Sequence, residues 1–340
     1  MPCWQPCALD DVLIPDLNEF PRGGAQPYAS GRQPGSDGEP QVKLHDDEVD
    51  IDTDLVRRLV AEQFPHLNDL PVTEFSSTGT VNAIYLLGDE LCVRLPRVQR
   101  WASGLERECK WLPLLAPSLT LQVPAPVVKG SPTSYYPFVW AIFRWIDGET
   151  YAPDRIDDER RAAADLAQFV AELRRKDLPP IDDETPYGGR PSLAEQDAAV
   201  RAWIGQAGDL IDGPAVTAAW EDALSGPAWD GTYAWIHSDL VPPNLLVKDG
   251  RLRAVIDFGA TGLGDPATDL NPAWSVFGHV GRTLFRDLVG ADDDTWRRGR
   301  GIAIIQAAGL VPYYVVTNPA YSALGRRMFR EILADICYAR

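Results

Sequence analysis

Lysine is scarce in this sequence. The chain holds five, Lys43, Lys110, Lys129, Lys176 and Lys248, and its 32 basic side chains face 49 acidic ones for a net charge of −17. With no Lys/Arg cluster to offset it, a surface this acidic repels phosphate backbones and excludes a nucleic-acid binder. Cysteine is also sparse, five in all and odd in number. Cys3, Cys7, Cys92, Cys109 and Cys337 are scattered, which excludes a disulfide framework and reads as reduced thiols. Cys3 and Cys7 have no His or further Cys nearby to complete a zinc site. No apolar run approaches the ~20 residues that span a bilayer, and MPCWQPCALD lacks a basic segment followed by an apolar one. The expectation is a soluble, cytoplasmic protein with no membrane partner. No internal repeat at solenoid spacing is present.

What remains is ordinary globular composition, 45% hydrophobic and 24% charged, over a length that suggests two lobes. The negative charge serves solubility or attracts a cationic small molecule. Residues 1–45, with PRGGAQPYASGRQPGSDGEP, are rich in Gly, Pro and Ser and are expected to be disordered. From Asp52, a capping residue, DTDLVRRLVAEQF carries apolar residues at helical spacing. Three β-like runs follow, VTEFSST, VNAIYLL and ELCVRLP, with Gly88-Asp89 as a hairpin turn. A helix over 98–115 and strands near 126–129 and 135–145 complete a lobe over residues 46–146, an antiparallel sheet packed on one helix. Residues 147–340 are mainly helical, interrupted by NLLVKDG and RLRAVIDF. The fold class is therefore α+β.

Two places carry chemistry. The apolar stripe of the 98–115 helix runs through 101, 105, 108, 112 and 115, so Glu108 falls on the buried face and needs a cation. Arg94 in CVRLPR is the nearest candidate, unless Glu108 reaches out at the helix edge; Glu106 falls on the solvated flank. The second place is WIHSDLVPPNLLV, followed by IDFG. It sets His237, Asp239, Asn244 and Asp257 on loops between buried strands. Two carboxylates and an amide suit Mg²⁺, which takes oxygen ligands from few carboxylates plus substrate phosphates.

The order HxDxxxxN then DFG resembles the catalytic and metal-binding loops of the protein-kinase-like superfamily. His237-Ser238-Asp239, GLGDPATDL at 262–270 and CVRLPR at 92–97 are similar to motifs of the aminoglycoside and macrolide phosphotransferase family, over roughly residues 50–340. The resemblance implies a two-lobed kinase-like fold. It implies a catalytic Asp239 that orients or accepts the proton of a substrate hydroxyl, and Asn244 and Asp257 as ligands of Mg²⁺ beneath a triphosphate. Arg94 would clamp the nucleotide phosphates, with Glu108 pinning it, where most kinases use Lys; the planar guanidinium grips phosphate oxygens in pairs. Ser77, Thr78 and Gly79 would form the phosphate loop, unless they are an ordinary hairpin turn. The backbone of the lobe connection over 140–145, with Phe143 and Trp145, would meet the base. His237 and Asp269 would brace the catalytic loop; Asp265 shapes the metal site or only the turn before Pro266.

The implied activity is O-phosphotransfer from ATP, or GTP, to a small-molecule hydroxyl, above all that of an aminoglycoside or macrolide antibiotic. A choline, sugar or amino-acid-alcohol kinase and a non-catalytic nucleotide-binding pseudokinase are the alternatives. Ser238 in place of the Arg that pairs with an activation-loop phosphate, and the missing APE signature, favour a small acceptor over a protein. Asp182-Asp183-Glu184 would receive a cationic acceptor or form a solvated loop; Trp274, Tyr313 and Tyr314 would wall the acceptor site or pack in the core. A monomer or homodimer is expected.

Overall fold

The structure, a computed structural model, describes residues 48–75, 81–179 and 191–338. The tail over 1–45, the loop residues Ser77, Thr78 and Gly79 and the acidic run Asp182–Glu184 lie outside the described residues. Helix α1 (Thr53–Gln63) starts where Asp52 Oδ1 accepts the Leu55 N–H at 2.7 Å, and buries Val56, Leu59 and Val60 at i, i+3 and i+4 spacing. Strands β1 (Val72–Phe75), β2 (Asn82–Leu87) and β3 (Leu91–Pro96) form an antiparallel meander. Its second turn uses Gly88 at φ +63°, a conformation that suits glycine. Helix α2 (Gln99–Leu115) follows, then β4 (Pro126–Gly130) and β5 (Trp140–Arg144), giving a sheet ordered β1-β2-β3-β5-β4.

The sheet buries both faces. Tyr85, Leu87, Val93 and Leu95 pack with α1 in one core, whereas Cys92, Ala141 and Phe143 join Leu105, Leu112 and Leu115 of α2 in the other, which is continuous with the helical lobe. The sheet therefore packs against two helices where the sequence pattern suggested one. Strand β5 is also shorter than its apolar run: Pro137 cannot donate to a ladder, so Tyr136 leaves the sheet and its hydroxyl donates to Pro96 O at 2.8 Å. Gly130 lies under the Trp140 ring, where a Cβ would come within 2.1 Å of it.

The second lobe begins with β6 (Glu149–Thr150) and α3 (Glu159–Arg174), continues with α4 (Leu193–Ala207) and α5 (Gly213–Ser225), and returns to the cleft as β7 (Ala234–Ile236). Strands β8 (Leu245–Lys248) and β9 (Arg251–Val255) form the expected hairpin, with β6 on its open edge. Strand β10 (Gly262–Gly264) pairs antiparallel with β7; three residues each are too few to register as a sequence pattern. The short α6 (Pro272–Ser275) leads into α7 (His279–Val289), α8 (Asp293–Tyr313) and α9 (Pro319–Tyr338). Helix α8 is the pillar of this lobe, buried on nearly every side from Gly299 to Val311. Trp274, weighed as a wall for an acceptor, is instead fully buried against Trp296, with its indole N–H on Asp335. Among the described residues no helix is long and apolar enough to cross a membrane.

Candidate active site

The chain leaves β7 through His237, Ser238 and Asp239. Asp269 holds this exit with both carboxylate oxygens, Oδ2 accepting the His237 N–H at 2.8 Å and Oδ1 the Ser238 N–H at 2.9 Å. Ser238 sits at φ +75°, which turns two successive N–H groups toward one carboxylate. Burial pushes the Asp269 carboxyl up, against the pull of His237 and the two N–H bonds. The His237 ring is fully buried. Its Nδ1 accepts the Asp239 N–H at 3.2 Å and its Nε2 donates to Ile256 O at 3.1 Å, so both ring nitrogens serve the loop.

Pro242 and Pro243 open a single 3₁₀ turn that brings Asn244 back under Asp239. The Asn244 Nδ2 donates to both the main-chain oxygen and Oδ2 of Asp239, each at 2.9 Å. Across the hairpin, the Ile256 N–H donates to Asn244 O at 2.9 Å. Ile256 thus ties Asn244 on one side to His237 on the other, one residue before Asp257. Asp257 itself adopts φ +66°, and Phe258 is buried edge-on to His237, with ring centroids 4.6 Å apart. Asp239 and Asn244 therefore meet directly, His237 and Asp269 brace their loop, and Asp257 follows Ile256 with its charge bearing on Arg94 and Glu108.

From the sheet side, Arg94 and Glu108 meet as a two-pronged pair, Arg94 Nη1 to Oε2 and Nη2 to Oε1, the latter at 3.2 Å. The two side chains are 12% and 1% exposed. Burial pulls the guanidinium down, but Glu108 and Asp257 outweigh it and hold Arg94 charged. Burial also pushes the Glu108 carboxyl up, opposed by Arg94 and by a hydrogen bond from the Phe258 main chain. Glu106 is exposed, as its place on the flank predicted. Helix α2 meets the loop after Asp257 at two further points: Arg107 Nη1 donates to Gly259 O, and Gly104 faces the Gly259 main chain at a distance where a Cβ would make ordinary contact, 3.5 Å.

Phe143 lies near the end of β5 and Trp145 just beyond it. Phe143 is wholly buried, and its main chain pairs with Cys92 on one side and Pro126 on the other. Its ring carries the Arg94 guanidinium at 4.9 Å. Trp145 is half-buried with its ring against Phe75 at 4.9 Å. Asp265 shapes the turn: Oδ1 accepts the Ala267 N–H at 2.9 Å, and Arg298 binds the carboxylate with two nitrogens at 3.0 and 3.3 Å.

Three residues that pattern reading passed over belong to this site. Gln306 of α8 donates from Nε2 to Asp239 Oδ1 at 3.0 Å, and Asn271 donates to Gln306 Oε1 at 2.6 Å. Arg107 is the third. Gln306 had a signal, a single amide within the apolar helical run GIAIIQAAGLV; Arg107 had none, because its acceptor is a main-chain oxygen 152 positions away.

Among the described residues no cluster of three or more His, Cys, Asp and Glu forms a metal cage. The donor set nonetheless fits a Mg²⁺ held by few protein oxygens. Asp257 supplies a carboxylate, and Asn244, whose N–H groups face Asp239, has its carbonyl oxygen left for a cation.

The sequence pattern of the phosphotransferase enzyme family matches residues 72–302. No curated protein sequence matches the chain. Among solved structures, aminoglycoside 2'-phosphotransferase-IIIa in its GDP complex aligns with a TM-score of 0.63 at 20% identity, over 83% of this chain and 98% of that one. The macrolide 2'-phosphotransferase from Brachybacterium faecium aligns at 0.53 and 22% identity, over 81% and 97%. The type I macrolide 2'-phosphotransferase aligns at 0.57 and 17%, over 82% and 96%. These likenesses establish the two-lobed kinase-like fold. With the family pattern extending from β1 into α8, across every residue of the cleft described above except Gln306, the chain belongs to the phosphotransferase enzyme family.

Proposed function

We propose that this phosphotransferase moves the γ-phosphoryl group of ATP or GTP to a hydroxyl of a small molecule, with an aminoglycoside or macrolide antibiotic as the acceptor. The observation that carries the reading is the bonded set Asp239–Asn244–Ile256–His237 with Asp257 beside it. It supports a carboxylate for the acceptor hydroxyl in Asp239, and in Asn244 and Asp257 two oxygen ligands for a cation. Related structures support the nucleotide and acceptor classes: those at 16–20% identity include complexes with GDP and kanamycin, with streptomycin and ATP, and with ADP.

In this reading Asp239 receives the hydroxyl in line with the phosphoryl group and takes its proton as the new P–O bond forms. Its carboxylate is oriented by two amide donors, Asn244 on Oδ2 and Gln306 on Oδ1. Arg94, fixed by Glu108 and Phe143, places a permanent positive charge beside Asp257, where the triphosphate charge builds up. Asn244 and Asp257 would hold Mg²⁺, which when bound neutralises phosphate charge. The chain runs from Gly259 straight into β10 and the Asp265 turn, a span too short for a loop that docks a peptide, and this favours a small acceptor. Tyr314, whose phenol is pushed up by burial and by the charge of Asp239, packs at 5.1 Å against Tyr321 and offers the acceptor an aromatic wall near the base.

The test is mass detection of phosphorylated product after incubation with Mg-ATP or Mg-GTP and kanamycin, erythromycin or choline in turn. Wild type should phosphorylate an antibiotic and Asp239→Ala should not, while retaining nucleotide affinity. Phosphorylation of choline alone would overturn the antibiotic assignment, and equal turnover by the two proteins would overturn the role of Asp239.

A further inference from the structure

Two side-chain amides bond the Asp239 carboxylate, one from its own loop and one from outside it. Asn244, five residues away, donates to Oδ2; Gln306, 67 residues away on the lobe's buried pillar α8, donates to Oδ1. Gln306 is half-buried among the buried Ile304, Ile305, Ala307 and Ala308, and an amide so placed avoids a desolvation cost by making its hydrogen bonds. Both of its ends are in use. Asn271 Nδ2 donates to Gln306 Oε1 at 2.6 Å and reaches Leu240 O at 3.3 Å and Ser275 Oγ at 3.4 Å. Because three acceptors surround the Asn271 amide nitrogen, its orientation is determined. Because that nitrogen meets Gln306 Oε1, the Gln306 N–H end must face Asp239.

The arrangement carries a penalty. Asn271 Oδ1 is buried with no partner, which costs about 1–3 kcal/mol. A buried unsatisfied carbonyl needs a reason, and the gain here is a donor delivered to the one carboxylate that touches the acceptor hydroxyl. We infer that Gln306 is a positioning residue for phosphoryl transfer: it fixes the plane of the Asp239 carboxylate through Oδ1 while Asn244 fixes Oδ2, and Asn271 sets its amide. An uncharged donor suits the task, because Lys or Arg in its place would neutralise the base. This inference rests on Asp239 being the group that receives the acceptor hydroxyl.

The experiment compares wild type, Gln306→Met, Gln306→Glu and Asp239→Ala on hydrolysis of Mg-ATP and Mg-GTP by water and on phosphorylation of kanamycin and erythromycin, with melting temperatures recorded alongside. Methionine keeps length and volume but has no donor; glutamate keeps shape but sets a second carboxylate against Asp239. The expected kcat order is Gln above Met above Glu, with Met about 10-fold below wild type, in the range for lost supporting contacts, and nucleotide KM within about 2-fold of wild type, since the contact does not touch nucleotide. Adding Asn271→Ala to Gln306→Met should lower kcat no further, because both act through one contact. Unchanged kcat in Gln306→Met, or losses that track melting temperature, would overturn the role of Gln306 so long as Asp239→Ala is inactive. If Asp239→Ala keeps wild-type turnover, the phosphotransfer reading fails first.

Discussion

Replacing Glu108 by alanine removes the counter-ion of a guanidinium that is itself almost wholly enclosed. Glu108 is 1% and Arg94 12% exposed, and the pair makes two parallel contacts. After truncation, Asp257 is the carboxylate left bearing on the Arg94 charge among the described residues. Breaking a buried pair in this way destabilises by about 3–5 kcal/mol. At roughly 2 °C per kcal/mol for a chain of this size, the melting temperature should fall by roughly 6–10 °C. Glu106→Ala is the internal control: two positions earlier on the same helix and exposed, it should stay within about 0.5 kcal/mol of wild type. Thermal unfolding of the three proteins without nucleotide, followed by Mg-nucleotide KM, separates the structural from the functional loss. Equal melting shifts for the two alanine variants, or an unchanged KM in Glu108→Ala, would refute the claim that this pair holds the phosphate clamp.

Ser238→Gly should stabilise the protein by about 1 kcal/mol, since glycine accepts φ +75° without strain and the buried Ser238 Oγ has no partner to lose; a lower urea midpoint would contradict this. Burial pushes the Cys92 thiol up to about 11. The folded chain therefore keeps that proton while the unfolded chain releases it from about pH 9, and stability intact below that pH is lost as pH rises from 9 to 11. The loss is about 3 kcal/mol for a shift of two pH units. Urea midpoints of wild type and Cys92→Val across this window check it: the two curves should diverge with rising pH, and parallel curves would show that Cys92 does not titrate as its burial demands.

Much of the site was legible because its logic is local. His237, Asp239 and Asn244 span eight residues whose spacing follows from a strand end and a Pro-Pro turn, and Asp257 follows the hairpin that brings the chain back. The Glu108 prediction needed only the 3.6-residue period of one helix and the expense of a buried carboxylate. What escaped reading depends on tertiary approach. The Gln306 contact joins α8 to the catalytic loop across 67 residues, and the Arg107 contact ends on a main-chain oxygen, which has no residue identity to detect. For Phe143 the sequence shows only a strand residue near the lobe connection; that its ring turns into the core and lies against the Arg94 guanidinium depends on how the sheet packs.

The central claim is that Asp257 and Asn244 hold a divalent ion beneath a nucleotide while Asp239 stands apart for the acceptor. Calorimetric titration of ADP into wild type, Asp257→Asn and Asp239→Ala, each with and without Mg²⁺, tests it most directly. The account predicts that Mg²⁺ tightens binding in wild type and Asp239→Ala and has little effect in Asp257→Asn. Nucleotide affinity that ignores both Mg²⁺ and the Asp257 substitution would contradict it.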